Sequence, residues 1–193
     1  MPHRNRVTPY GDIVRSSLRG NWMGNRGCIH DGFDIVRPWN GKRWITCALE
    51  YKGWVAPKWE PGRWTALFFY DEAVALAAGH RPCALCRRRD YERYRGAVDA
   101  SGADEMDARL HRDRLDGRTQ RVHARPWADL PPGVFVDLDG EPAVVTENTI
   151  VPWSSTTGYL AARRKPSQGT ATVLTPATSV AALVAGYIPQ FAP

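Results

Sequence analysis

The stretch Gly79-His80-Arg81-Pro82-Cys83-Ala84-Leu85-Cys86-Arg87-Arg88 constrains this chain more than any other, because it sets two cysteines, two residues apart, between a helix-stopping glycine and a run of arginines. Two thiolates at this spacing face one ion when a sharp turn and the first turn of a helix present them. Zn²⁺ takes four such ligands at about 2.3 Å from sulfur in a closed structural site. The chain holds 4 cysteines, so Cys28 and Cys47 complete a four-cysteine set with none left over. A redox C-x-x-C follows a strand in a thioredoxin-like βαβ unit, and no such unit is legible here. Free thiols and redox use stay open beside the metal site.

A chain of 193 residues, 43% of them hydrophobic, can bury a core unaided, so a metal organises part of the fold and not all of it. The start, Met1 to Arg6, is polar and leads into no apolar run of the signal-peptide kind, and no stretch approaches the ~18 apolar residues of a membrane span. The expectation is a cytoplasmic protein with no membrane partner, in a compartment that leaves thiols reduced and able to hold metal. Net charge is +6, carried mostly by arginine, the side chain best suited to phosphate. A GC-rich coding bias gives the same excess, so charge alone does not decide for a nucleic-acid partner.

The texture alternates. Residues 7 to 20 read as an extended lead-in. Asp31-Gly32 and Asn40-Gly41 are turn dipeptides, and Phe33 to Arg37 is expected to face Arg43 to Leu49 across the second in a β-hairpin. The apolar run Leu67 to Tyr70 meets Asp71, an N-cap, and a small-residue helix Ala73 to Ala78 that stops at Gly79. A second helix is expected from the cysteine turn to about Ala100, and a third over 103 to 116 with Met106 and Leu110 inward. Beyond Pro126 short strands return around Val134 to Val136, Ala143 to Val145, Ile150-Val151 and Thr172 to Leu174, and Thr175-Pro176 opens a terminal helix ending at Gly186. The fold class is α+β: a zinc-stabilised hairpin with helices over 1–118, then a small β-rich domain with a C-terminal helix over 131–193, divided where Gly, Arg, His and Pro accumulate in 117–131.

The segment from Asp71 to Arg87 resembles the zinc-binding N-terminal domain of the Ada DNA-repair family, in which a small-residue helix ends at glycine and an Arg-Pro-Cys-x-x-Cys-Arg turn supplies the last two ligands. The resemblance covers about 17 residues. The block Leu67 to Ala73 running into Gly79 to Cys83 is also similar to a family of bacterial proteins, a likeness that carries no activity with it. The Ada-like resemblance implies Zn²⁺ held by Cys83 and Cys86, with Cys28 and Cys47 as counterparts of the first pair. There the first pair is spaced Cys-x-x-x-Cys, whereas here 19 positions separate the two, and the most upstream ligand accepts a methyl group from a DNA phosphotriester, a role only Cys28 could inherit. If both turn dipeptides close two-residue hairpins, Cys28 and Cys47 fall on opposite faces, so either a bulge restores the parity or the first turn is irregular. His30 is the alternative to Cys28 as fourth ligand, since sites of three cysteines and one histidine are ordinary.

Tryptophans at 39, 44, 54, 59 and 64 lie among Arg37, Lys42, Arg43, Lys52 and Arg63, a mixture able to track a backbone and stack bases. Trp44 and Trp64 are read as cover for the sheet; Trp39 and Trp54, beside turns, are candidates for nucleic acid, together with Arg81, Arg87 and Arg88. Asp71, Glu72 and His80 could form an acidic nuclease group, but capping and the helix dipole already explain both carboxylates. The reading is therefore a zinc protein that contacts nucleic acid, DNA in the first instance. Two alternatives stay open: an enzyme acting on DNA, by a zinc-activated thiol or as a nuclease, and a structural or protein-interaction module.

Overall fold

The computed structural model describes residues 2–55 and 59–192. Strands β1 (Arg4–Val7) and β2 (Ile13–Arg15) form an antiparallel pair, the second of them inside the stretch from 7 to 20 that reads only as a lead-in. They extend a six-stranded sheet with β3 (Trp22–Asn25), β6 (Ile45–Cys47), β9 (Leu67–Phe69) and β10 (Arg81–Pro82), in the order β10-β6-β3-β9-β1-β2. Between them, β4 (His30–Asp31) turns back on β5 (Asp34–Ile35), and β7 (Glu50–Tyr51) on β8 (Trp54–Val55).

The expected hairpin across Asn40-Gly41 is not formed. Asp34 pairs with Asp31, while Cys47 pairs with Met23 of β3. A two-stranded ribbon is marginal in water. Inserted between β3 and β10, the segment instead buries Trp44, Thr46 and Cys47.

Helix α1 (Glu72–Ala77) follows β9, with the Asp71 carboxylate accepting from the Val74 amide at 2.9 Å, the cap expected from sequence. Every residue of α1 is buried. Its alanines explain this, for small side chains let layers close on both sides of one short helix. Gly79 has φ +80°, and a Cβ there would meet Arg114 Cδ at 2.6 Å. Gly79→Ala is therefore expected to cost about 1–3 kcal/mol, a melting temperature lower by roughly 2–4 °C per kcal/mol in a thermal melt.

Helix α2 (Arg88–Ala97) turns Tyr91 and Tyr94 inward, and α3 (Ala103–Arg114) buries Met106, Asp107, Leu110 and Arg114. The hairpin β11 (Leu115–Asp116) with β12 (Thr119–Gln120) leads to β13 (His123–Pro126). Next come β14 (Phe135–Leu138), β15 (Glu141–Val145), β16 (Thr149–Ser154), β17 (Gly158–Tyr159), β18 (Arg163–Arg164) and β19 (Thr170–Val173), paired in the order β13-β19-β14-β15-β16-β17 with β18 beside β16. Asp139 and Gly140, both at positive φ, make the tight turn between β14 and β15, the conformation an Asp-Gly pair favours. The terminal helix α4 (Ala177–Val184) begins after Pro176 and is followed by Gly186 at φ +92°.

The protein is thus α+β, as expected, but 117–131 does not divide two cores. One core joins Leu76, Tyr94 and Met106 to Val136, Val173 and Val180; another joins Val7, Leu67, Phe69 and most of α1 to Phe135, Val144 and Leu174. Hydrogen bonds tie the halves as well: Tyr10 donates to Asp137, and Ser16 to the Ser155 carbonyl.

Candidate metal centre

Cys47 closes β6 and Cys83 follows β10. These strands run parallel with Pro82 opposite Thr46, and the Cys83 amide donates to the Thr46 carbonyl at 2.9 Å, so both thiols emerge at one end of the sheet. The chain then folds back tightly. The Leu85 amide donates to Cys83 Sγ at 3.4 Å and the Arg87 amide to the Cys83 carbonyl at 3.1 Å, which returns Cys86 to the other two.

The sulfurs of Cys47, Cys83 and Cys86 lie within 4.8 Å of one another. Tetrahedral zinc with sulfur at about 2.3 Å requires sulfur atoms about 3.8 Å apart, so a slight contraction closes the triad on an ion. The surroundings are largely apolar: Met23 and Ala66 are buried with Cys47 and Cys83, half-buried Trp59, Trp64 and Phe68 pack against them, and Cys86 is half-buried at the edge. Trp64 is half-buried there and Trp44 is buried, as their reading as sheet cover predicts.

Without metal the three thiols share protons unequally. Cys83 is pushed well down by the hydrogen bond it accepts from Cys47, then by that from Cys86 and by the amides of Cys86 and Leu85. Cys47 is pushed up, chiefly as the donor in that first bond. Cys86 is drawn down by Cys47, but its bond with Cys83 and its burial together leave it raised. The first negative charge therefore settles on Cys83, and an ion entering the triad displaces the remaining protons.

Among the described residues neither Cys28 nor His30 joins this group. Both ring nitrogens of His30 are already engaged, Nδ1 with Thr65 Oγ1 at 2.6 Å and Nε2 with the Glu60 carbonyl at 3.2 Å. The Glu60 carbonyl can only accept, so Nε2 donates to it, and the Thr65 hydroxyl, which also accepts from the Ile29 amide, occupies Nδ1. That network leaves no lone pair for a metal.

The arginines proposed from sequence separate sharply. Arg81 and Arg87 are not presented to a phosphate, because both are buried in ion pairs. Arg81 grips Asp107 with two bonds of 2.8 Å, and Arg87 reaches Glu72 at 2.7 Å, Asp90 at 2.8 Å and Thr46 at 2.9 Å, lying over the Trp22 ring. Glu72 also accepts from the Tyr187 hydroxyl and the Gln190 amide, and Asp71 from the Tyr159 hydroxyl and the Ala192 amide, so this acid pair fastens the C-terminal tail. Arg88 is exposed and paired with Glu92. Trp54 is exposed beside Trp64, and Trp39 is half-buried against Trp44 and His111.

His80 is fully buried beside Trp44 and Phe69, with Nε2 accepting from Arg26 Nε at 3.2 Å. Burial holds its pKa well below the usual value of 6.5, and the charges of Arg26 and Arg114 add to this. The folded protein therefore leaves His80 neutral where the unfolded chain protonates it. The stability this provides is complete above pH 6.5 and declines as pH falls below it, by about 1.4 kcal/mol per pH unit. In denaturant titrations between that pH and the acid limb, His80→Gln should show a slope shallower by this amount.

Two further arginines, Arg26 and Arg114, escape a reading by motif. For Arg114 a signal existed: it continues the inward stripe of Met106 and Leu110 at four-residue spacing. Nothing in the residues flanking Arg26 marks it. Comparison with models of known protein families, with curated proteins and with solved structures finds no match to this chain.

Proposed function

We propose that this protein holds a zinc ion on Cys47, Cys83 and Cys86 and contacts nucleic acid through an arginine-rich surface. The observation that carries the metal half is the convergence of three thiols from two strands and one turn in an apolar wall. Thiolate-rich donor sets select zinc among the common divalent ions, and a zinc here supplies a cross-link between β6 and the turn that opens α2. Zinc on the last two cysteines is what the Ada-like turn implies. Alkyl transfer by Cys28 finds no support in the geometry, because that thiol stands apart from the triad.

The nucleic-acid half rests on charge. Net charge is +6, and exposed Arg4, Arg37 and Arg118 edge two neighbouring cavities, with Lys42 and Arg43 close by in sequence. One observation favours an enzyme as a second reading: with three protein thiols gathered, the fourth position of a tetrahedral ion is free for water or substrate.

Anisotropy of labelled single- and double-stranded oligonucleotides tests the nucleic-acid reading. Affinity is expected to fall with salt at a log–log slope of roughly −0.9 per phosphate contacted on duplex. No binding at low salt, or binding indifferent to salt, sinks it.

A further inference from the structure

The four most deeply buried arginines are treated in two ways. Arg81 and Arg87 each meet a carboxylate. Arg26 and Arg114, 3% and 2% exposed, meet none among the described residues. Arg26 bonds to His80 and to the Gly11 carbonyl, Arg114 to the Gly79 and Lys42 carbonyls and to His111, while Arg26 Nη2 and Arg114 Nε find no partner. Both guanidiniums lie over the Trp44 ring, at 4.2 and 3.9 Å from its centre. Burial pushes each down to about 9, still charged at neutral pH. Asp12 and Asp107 act on Arg26 and Arg114 only through space, and two cations this deep without a directly bonded carboxylate are costly unless an anion joins them.

Both line one cavity of about 400 Å³, a volume suited to a small organic ligand, together with Tyr10, Trp39, Arg118 and Gln120. Asp12 is the one carboxylate among its lining residues, so the wall stays positive. A second cavity, of about 290 Å³, shares Gly11, Asp12, Arg26 and Pro38 with the first and adds Arg4 and Arg37. Arg26 Nη2 and Arg114 Nε each leave an N–H unbonded among the described residues, Arg118 adds an exposed guanidinium fork of the kind that matches phosphate oxygens, and a half-buried tryptophan at such a wall offers a face to a base.

We propose that this cavity is a phosphate site that takes a nucleotide, its phosphate against Arg26 and Arg114 and its base against Trp39. This deepens the nucleic-acid reading by naming the group held, and the nucleotide reaches the site either free or as the phosphorylated end of a strand.

Calorimetry and thermal melts with adenosine 5′-monophosphate, inorganic phosphate, adenosine, and oligothymidine with and without a 5′-phosphate test it. Adenosine monophosphate or the phosphorylated oligonucleotide should bind one per chain. The unphosphorylated counterpart should bind roughly 10-fold more weakly or not at all. Binding of the mononucleotide identifies a free ligand; binding of the phosphorylated strand alone identifies a strand end. Arg26→Met and Arg114→Met should abolish the ligand-induced shift, each read against that variant's own ligand-free melting temperature, since both also leave buried carbonyls without a donor. The exposed Arg118→Ala, which leaves the core intact, should weaken binding several-fold. No response to any phosphate compound at millimolar concentration overturns the proposal, as does affinity unchanged in Arg118→Ala and Arg26→Met. A strand bound equally with and without its 5′-phosphate, with no response to the mononucleotide, removes the pocket and leaves the nucleic-acid reading standing; a mononucleotide bound with no affinity for strands does the reverse.

Discussion

Protein prepared without added metal is expected to carry one zinc per chain by elemental analysis, and Cys83→Ser to carry none and to melt on the order of 10 °C lower. The size comes from linkage. A ligand bound to the folded state alone, at a thousand times its Kd, stabilises by about 4 kcal/mol, and a domain of this size shifts by about 2–4 °C per kcal/mol. Cys83 is the most telling position, because it accepts bonds from both other thiols and from two amides, and carries the first charge of the triad. Cys47→Ser and Cys86→Ser should lose the ion as well. His30→Ala and Cys28→Ser should keep it, since the His30 ring is committed to Thr65 and Glu60 and Cys28 stands outside the group. Metal retained in Cys83→Ser removes the site; metal lost in Cys28→Ser places that thiol as a fourth ligand.

Arg87→Ala should destabilise by about 3–5 kcal/mol, again on the order of 10 °C, while leaving nucleic-acid affinity below the melting temperature unchanged. Its removal strands the Glu72 carboxylate, fully buried and holding the Tyr187 hydroxyl and the Gln190 amide, without its cation. Replacing both partners, as Glu72→Gln with Arg87→Met, should recover most of the loss, because the cost lies in the unpaired charge and not in the missing attraction. Arg88→Ala, on the exposed face of α2, should stay within about 0.5 kcal/mol of wild type. Lost affinity with unchanged stability in Arg87→Ala contradicts the buried ion pair.

Local features were legible in the sequence because their causes are local. Asp71 caps α1, Gly79 ends it, Asp139-Gly140 closes its turn, and the C-x-x-C spacing brings Cys83 and Cys86 together, each through atoms a few residues apart. Count alone added Cys47 and Cys28 alike, and strand pairing brings only Cys47 to the other two. Features that depended on distant partners were not legible. Asn40-Gly41 carries a hairpin signal that the insertion of β6 between β3 and β10 overrides, since pairing across the sheet buries side chains that a local ribbon leaves wet. The arginines show the limit most clearly. Arg81, Arg87 and Arg88 are near neighbours of one chemistry, yet two are buried against Asp107 and Glu72 and one faces water. Sequence determined that this chain would carry abundant guanidinium and a pair of thiols on one turn. Only the tertiary structure decided which guanidiniums receive carboxylates and which, at Arg26 and Arg114, are left facing a cavity, because a charge is compensated by the groups the fold brings within a few ångströms and not by its neighbours along the chain.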